Sequence, residues 1–415
     1  MSSSSRLLLR DCGCVTGEGL QFSPDLDVVI EDSVIVELGP GVSRGEGIAL
    51  PGAVLIPGLI NCHTHLGDAA FTGRAFGIPG EELLWPPEGL RHRWMTEAPP
   101  DDVVDGMRAA VEVMLGSGTV AFADFREQGL AGVQALHRAT EGMRVESIVF
   151  GRHASFPLHT EEELAENKAE LSASQLAEIE SVLQVADGFS PLWANDTTDA
   201  GLSRTARVVR EHGKRVATHA GETASYREIS RARTGRSDVD RIVEFLHPDF
   251  VVHMTAGTPE EFATLAAAGV PVVMCPRTQA ALGLGIPPLL TALDQGVTVA
   301  LGSDNAMMSS PDLLQELQYF FRAIRGQVGD PARPTVQEIV ATVTTSAARV
   351  LGLEDRLGWL DIGREATFFV LDMSTANLRN VGDPLVALAT RATSADVRAV
   401  VVAGELAYGT LRAGD

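Results

Sequence analysis

The sequence predicts an α/β protein: a (β/α)8 TIM barrel with a small β-sandwich domain formed from both termini. Three observations point there. Eight apolar runs alternate with helix-like stretches through the middle of the 415-residue chain, strand-like pieces occupy both ends, and almost every apolar run stops in polar or ionisable residues. Near-continuous apolar strands separated by helices indicate a parallel sheet covered on both faces. Eight such units in about 250 residues suit a closed barrel better than an open sheet. A chain of this length exceeds one comfortable core, which fits a barrel plus an accessory layer.

Taken in order, residues 1–53 carry RLLLRDC, LDVVIEDSVIVELG and GIALPGAVL, and residues 358–415 repeat that texture in ATFFVLDMS and VRAVVVAGELAYG. Together these are the expected composite β-sandwich, with 54–357 as the barrel. Barrel strands are expected at 54–65, 119–125, 145–152, 185–192, 215–221, 250–255, 270–276 and 297–304. Between them, DVVDGMRAAVEVMLGSG, ELAENKAELSASQLAEIESVL and PEEFATLAAAG have helical spacing. There is no internal repeat of fixed period and no low-complexity tract.

Composition excludes several functions. With 45% hydrophobic and 21% charged residues the chain is ordinary globular protein, and its net charge of −22 with pI near 4.8 argues against nucleic acid and anionic membranes as partners. Of the four cysteines, Cys12 and Cys14 do not form a CxxC pair, and Cys62 and Cys275 stand alone, so reduced thiols are expected. The start MSSSSRLLLRDCG lacks the apolar run of a signal peptide, and no stretch of about 18 apolar residues occurs. Cytoplasmic localisation is the expectation.

The chemistry sits at the strand ends. His63 and His65 close the first apolar run, VLIPGLINCHTH. Imidazoles at i and i+2 on a strand point to the same side and make half of a metal site; the alternative is a pair of surface histidines in a loop. The fifth run ends in THAGE (His219, Glu222), the sixth in VHMT (His253) and the eighth in GSDN (Asp304). Three histidines plus one carboxylate at the mouth of a barrel can bind one divalent ion and leave a place for water. Nitrogen and oxygen donors without thiolate suit zinc, with iron or manganese as alternatives, and such an ion brings the pKa of bound water to ~7.

In these motifs the chain resembles the amidohydrolase superfamily, specifically its cytosine/adenosine deaminase-like and chlorohydrolase-like (ATZ/TRZ-like) group. PGLINCHTH, THAGE, VVMCPRTQAALGLGIPPLLTALDQGVTVALGSDN and TTSAARVLGLEDRLGWLDIGREATFFVLD match in order and at barrel spacing, over nearly the whole chain. The resemblance implies His63, His65, His219 and Asp304 as metal ligands, with His253 beside the attacking water or developing oxyanion. Many members hold two metals bridged by a carboxylated lysine at the end of strand four. Here that strand ends in GFSPLWANDTTD, and the only lysines are Lys168 and Lys214, so one metal is implied. Glu222, three residues after His219, has the HxxE spacing of the superfamily's deaminases. A carboxyl there can shuttle a proton to a ring nitrogen and then to departing ammonia, while Asp304 takes a proton from water. Glu222 also suits the N-terminus of a following helix, TASYREISRAR.

Weaker candidates for substrate contact are Arg126 and Glu127 after strand two and Arg152 and His153 after strand three; each pair could equally be a salt bridge on the barrel rim. Trp85 and Trp193 could stack on a heterocycle or simply pack. Asp68 could touch substrate or orient a ligand histidine. Arg277, Thr278 and Gln279 stand where resembling deaminases often carry Ser-Asn, a departure that leaves the substrate open. His92, His137, His159, His212 and His247 are expected to be structural. The Gly- and Pro-rich stretch LGDAAFTGRAFGIPGEELLWPPEGLRHRWM after the HxH is expected to shape the pocket.

The implied function is a mononuclear metal-dependent aminohydrolase acting on a small purine, pyrimidine, pterin or related amino-heterocycle. The alternatives are hydrolysis of a cyclic amide or of a C–N or C–Cl bond in a triazine-like ring, and a catalytically inactive scaffold, which the intact ligand positions disfavour. The resemblance further implies a homodimer or larger homo-oligomer.

Overall fold

Pro57 and Gly58 interrupt the first long apolar run, and at that point the chain changes sheets. The computed structural model describes residues 6–42, 45–84 and 89–411. Before the break, Ala53–Pro57 pairs antiparallel with Phe368–Asp372 and parallel with Arg6–Thr16. After it, Leu59–His65 opens a parallel sheet. The stretch 54–65, read from sequence as one strand, is therefore two. Both halves are fully buried, so composition alone does not separate them. Gly58 allows the crossing: a Cβ there would lie 2.4 Å from Val120 Cγ2.

The parallel sheet runs Leu59–His65, Thr119–Arg126, Glu146–Gly151, Gly188–Phe189, Arg215–Ala220, Phe250–His253, Val272–Met274 and Val299–Leu301, neighbours in sequence being neighbours in space. After Gly302-Ser303 the last strand resumes as Asp304–Asn305 and pairs with the first, Asp304 opposite Thr64 and Asn305 opposite His65. The sheet thus curls back on itself, as a TIM-type barrel does. Each of the eight apolar runs contains one of its strands.

Helices cover the outside. Pro100–Gly116 starts on a proline suited to the first helical turn and buries Val103, Val104, Met107, Val111 and Met114, a three-to-four spacing that lines one face. Each such side chain, fully buried, contributes roughly 1.5–3 kcal/mol. A charge at Val111, which is fully enclosed, would break the packing. The stretch ELAENKAELSASQLAEIESVL forms two helices, Glu161–Glu166 and Ala173–Leu183, because Thr160 and Ser172 each close a capping box and restart the chain.

The terminal strands form one sheet, in the order Glu405–Gly409, Val397–Val402, Phe368–Asp372, Ala53–Pro57, Arg6–Thr16, Gln21–Glu31 and Val34–Gly39, with Ile48–Ala49 beside Arg6–Thr16. Ala53–Pro57 hydrogen-bonds on both edges and joins the N- and C-terminal strands in a single path. Leu9, Cys14, Val28, Leu55, Phe368 and Val401 form a separate small core here. All four cysteines are free and buried. Among the described residues no helix is long and apolar enough to cross a membrane.

Candidate functional site

Five ionisable side chains meet where the parallel strands end. Donor atoms of His63, His65 and Asp304 lie within 4.8 Å of one another, as do those of His63, His219 and His253. His63 is central, its ring centroid 4.7 Å from that of His65 and 5.1 Å from that of His219. Strand eight reaches this point only because residue 302 is glycine: a Cβ there would sit 2.6 Å from the Cβ of His63. His253 (φ 82°), Met254 (φ 53°) and Asp304 (φ 61°) adopt left-handed backbone at the strand ends. Such conformations cost on the order of 1–3 kcal/mol each and persist where packing enforces them.

The hydrogen bonds assign the ring protons. His65 Nδ1 lies 3.1 Å from the Phe125 carbonyl and 2.8 Å from Glu127 Oε1. Both partners only accept, so Nδ1 carries the proton and Nε2 presents a lone pair, 3.6 Å from Asp304 Oδ1. His219 Nδ1 donates to the Leu192 carbonyl at 2.9 Å, which likewise frees Nε2. His63 is fully buried and neither ring nitrogen has a hydrogen-bond partner. Burial holds His63 neutral, pushing it down to about 3 against the opposing pull of Asp304. Burial and then Arg152 hold His219 well below the usual imidazole range. Asp304 stays ionised: burial works against this, and the facing His63, His253 and His65 outweigh it. Neutral imidazoles, an ionised carboxylate and two orphaned ring nitrogens fit a divalent cation. Cys275 also lies near His253 and Asp304. Burial raises its thiol well above the ordinary range, and only a thiolate ligates metal.

Glu222 stands beside this cluster. Its Oε2 accepts from Trp193 Nε1 and its Oε1 from Gln279 Nε2, both at 3.3 Å, and His253 Nε2 is 3.8 Å from Oε1. Thr223, the next residue, caps the helix Ala224–Thr234, so Glu222 precedes that helix and does not cap it. Opposite, Glu127 takes His65, Arg91 (2.5 Å) and Arg126, with Arg152 Nη1 at 3.7 Å. Burial alone would raise the Glu127 carboxyl, but Arg91, Arg126 and His65 hold it well below the usual range.

A small chamber of about 30 Å³ is lined by His65, Arg91, Arg152, Trp193, Glu222 and Asp304, among others. It adjoins a cavity of about 250 Å³ that shares His92, Arg152 and Leu192 and adds Glu127, Gln128 and His153. Arg152 thus faces both spaces. Its Nε has no partner, its Nη2 rests 3.3 Å from both nitrogens of the His219 ring, and burial lowers it to about 10.

Several sequence expectations change. Arg277 does not face the chamber: it bonds the Ser310 carbonyl and Gln315 and lies 3.5 Å from Glu316. It is the second residue of the helix Pro276–Ala281, where successive side chains diverge by about 100°, so Gln279 faces inward when Arg277 does not. Arg126 lines neither space, being paired with Asp124 and Glu127. This is the salt-bridge alternative, although the pair is buried and not on the rim. Asp68 binds Arg91 Nε (2.7 Å), Asn305 Nδ2 (2.8 Å) and the Met307 amide (3.0 Å), tying the post-HxH segment to the segment after Asp304. His153 lines the larger cavity and bonds Glu178. Trp85 lies outside the described residues. His92, expected to be structural, lines both spaces, its Nε2 held by the Leu84 carbonyl at 3.0 Å. Arg91 was not anticipated; its only signal was its place in the segment expected to shape the pocket.

Residues 54–407 match the model of the Amidohydrolase family. The chain is 30% identical over 383 residues to a putative aminohydrolase of Methanothermobacter thermautotrophicus, covering 92% of this chain and 94% of that one. It is 34% identical over 380 residues to a 5-methylthioadenosine/S-adenosylhomocysteine deaminase of Teredinibacter turnerae, covering 87% and 81%. Among solved structures, a zinc-bound adenosine deaminase from Xanthomonas campestris shares the fold with a TM-score of 0.85 at 23% identity, over 99% of this chain and 94% of that one.

Proposed function

The chain belongs to the amidohydrolase family, and from that premise we propose that it is a mononuclear aminohydrolase that removes the amino group of a small heterocycle. It is a hydrolase of carbon–nitrogen bonds. The observation that carries the finer reading is Glu222 beside the His63, His65, His219 and Asp304 cluster, with His253 between them.

His63, His65, His219 and Asp304 would hold one divalent ion, for which zinc suits the donor set. Such an ion, when bound, supplies the Lewis acidity that makes water nucleophilic near neutral pH. Asp304 accepts a proton from the attacking water as its oxygen bonds to the ring carbon. Glu222 relays one of the two water protons to the adjacent ring nitrogen, and the proton held by Asp304 passes to the amino group, which leaves as ammonia as the carbon–nitrogen bond breaks and the carbonyl forms. His253 faces the charge that develops at the reacting carbon. Trp193 steadies Glu222, and Glu127 keeps His65 in the tautomer that leaves Nε2 free. The chamber of about 30 Å³ suits the attacking water, and the adjoining cavity of about 250 Å³ gives room for the body of the substrate, with Arg152 at the junction. Relatives named for 5-methylthioadenosine, S-adenosylhomocysteine and 5'-deoxyadenosine make adenine nucleosides the first substrates to test.

The test is ammonia release by the zinc-loaded chain across adenine nucleosides, guanine, cytosine and aminopterins. Release from at least one, abolished by chelation and restored by zinc, is expected. Silence across the whole panel would end the deaminase reading, and chloride release from a chlorotriazine would put dehalogenation in its place.

A further inference from the structure

Gln279 is fully buried on the helix Pro276–Ala281 and makes three polar contacts. Its Nε2 lies 3.3 Å from Glu222 Oε1 and 3.1 Å from His253 Nδ1, and its Oε1 accepts from Thr255 Oγ1 at 3.1 Å. The orientation of this amide follows from chemistry. A carboxylate only accepts, so the amide atom facing Glu222 is the NH2 group, and turning the amide over would set two acceptors against each other. The NH2 has two hydrogens, and the second points at His253 Nδ1. That nitrogen must therefore offer its lone pair, which leaves the single proton of the neutral ring on Nε2.

We infer that Gln279 is a positioning residue that locks His253 as its Nε2–H tautomer while anchoring Glu222, so that His253 meets the reaction chamber as a hydrogen-bond donor. This explains a division of labour the distances alone leave open. His253 lies close enough to His63 and His219 to count as a fourth imidazole ligand. With Nδ1 engaged and Nε2 protonated it has no lone pair to give an ion. His65 and His219 are the reverse case: carbonyl and carboxylate acceptors hold their protons on Nδ1 and leave Nε2 without one, with Arg152 Nη2 3.3 Å from that of His219. One amide NH2 in place of one carbonyl separates a donor from a ligand. The kinetic part of this inference rests on the proposed deaminase activity; the tautomer does not.

The test is nitrogen-15 NMR of the histidine-labelled, zinc-loaded full chain, with His253 assigned by its loss in His253→Asn. The expected spectrum shows a protonated Nε2 and a bare Nδ1. In Gln279→Leu, which takes the NH2 away from Nδ1, the proton should no longer be confined to Nε2, and kcat should fall about tenfold to a hundredfold, with KM within about twofold and zinc stoichiometry intact. A wild-type His253 protonated at Nδ1 would overturn the lock, as would a Gln279→Leu spectrum identical to wild type. The wild-type spectrum decides even if a variant fails to fold. An Nε2–H His253 in a chain that releases ammonia from nothing would sink the deaminase reading and leave the lock standing.

Discussion

Two buried glutamates flank the histidine–aspartate cluster, and their surroundings are opposite. Glu127 is saturated by cations, with Arg91 and Arg126 on its oxygens, Arg152 nearby and His65 leaning on it. Glu222 is met by an indole N–H, a carboxamide NH2 and one imidazole at longer range. A carboxylate pinned by three guanidinium groups keeps its charge and holds geometry. Glu222 has no guanidinium on it, and neutral donors hold it in place. Surroundings, not residue type, thus divide the proposed scaffold from the proposed shuttle.

That contrast can be broken most sharply at Glu222. Glu222→Gln keeps the shape and removes the exchangeable proton, so kcat should fall about a thousandfold. Zinc content and melting temperature should stay near wild type; a variant with more than a tenth of wild-type activity would end the shuttle assignment. Glu127→Gln should do the opposite. It leaves Arg91 and Arg126 short of a counter-charge in a buried place, and urea unfolding should show a loss of about 3–5 kcal/mol. Zinc affinity should drop as well, because His65 loses the partner that orients it. Unchanged stability would mean that water or a rearranged Asp68 replaces Glu127 at little cost.

The smallest effect comes from a third buried glutamate, which calibrates the other two. Glu316 accepts the Arg277 amide on Oε1, while its Oε2 has no hydrogen-bond partner and faces Arg277 Nη1 at 3.5 Å. Burial pushes it up to about 8, against the pull of Arg277. Between the ordinary carboxyl value and about 8, the folded chain keeps a proton that the unfolded chain has released. Stability from this group therefore declines as pH rises through that window and levels off above it. Glu316→Gln should remove the decline, so that its melting temperature gains on the wild type as pH rises from about 4 to about 8. Thermal melts of both proteins across that range check it; parallel curves would refute it.

Much of this was legible in the sequence because buried parallel strands are written as apolar runs, and because side chains at strand ends come at the close of those runs. His63, His65, His219 and Asp304, which the fold brings into one cluster, were read that way. The break at Gly58 was hidden, since both sides of it are equally buried and equally apolar. Arg91 and His92 were hidden for another reason. They sit on the short helix Leu90–Glu97 within a Gly- and Pro-rich stretch, where no periodicity says which side chain turns inward. Arg277 and Gln279 looked equivalent as neighbours after strand seven. Only the helix that begins there tells them apart.

The crossing at Gly58 has a mechanical consequence. No loop lies between Ala53–Pro57 and Leu59–His65, so the ribbon that ends in two of the proposed ligands is stretched between two cores like a taut cable. Slack introduced at the anchor, by loosening Phe368–Asp372 or trimming the outer terminal strands, travels down that ribbon to His63 and His65. Damage to the terminal sheet should first register as a lost ion, while the barrel around it still stands.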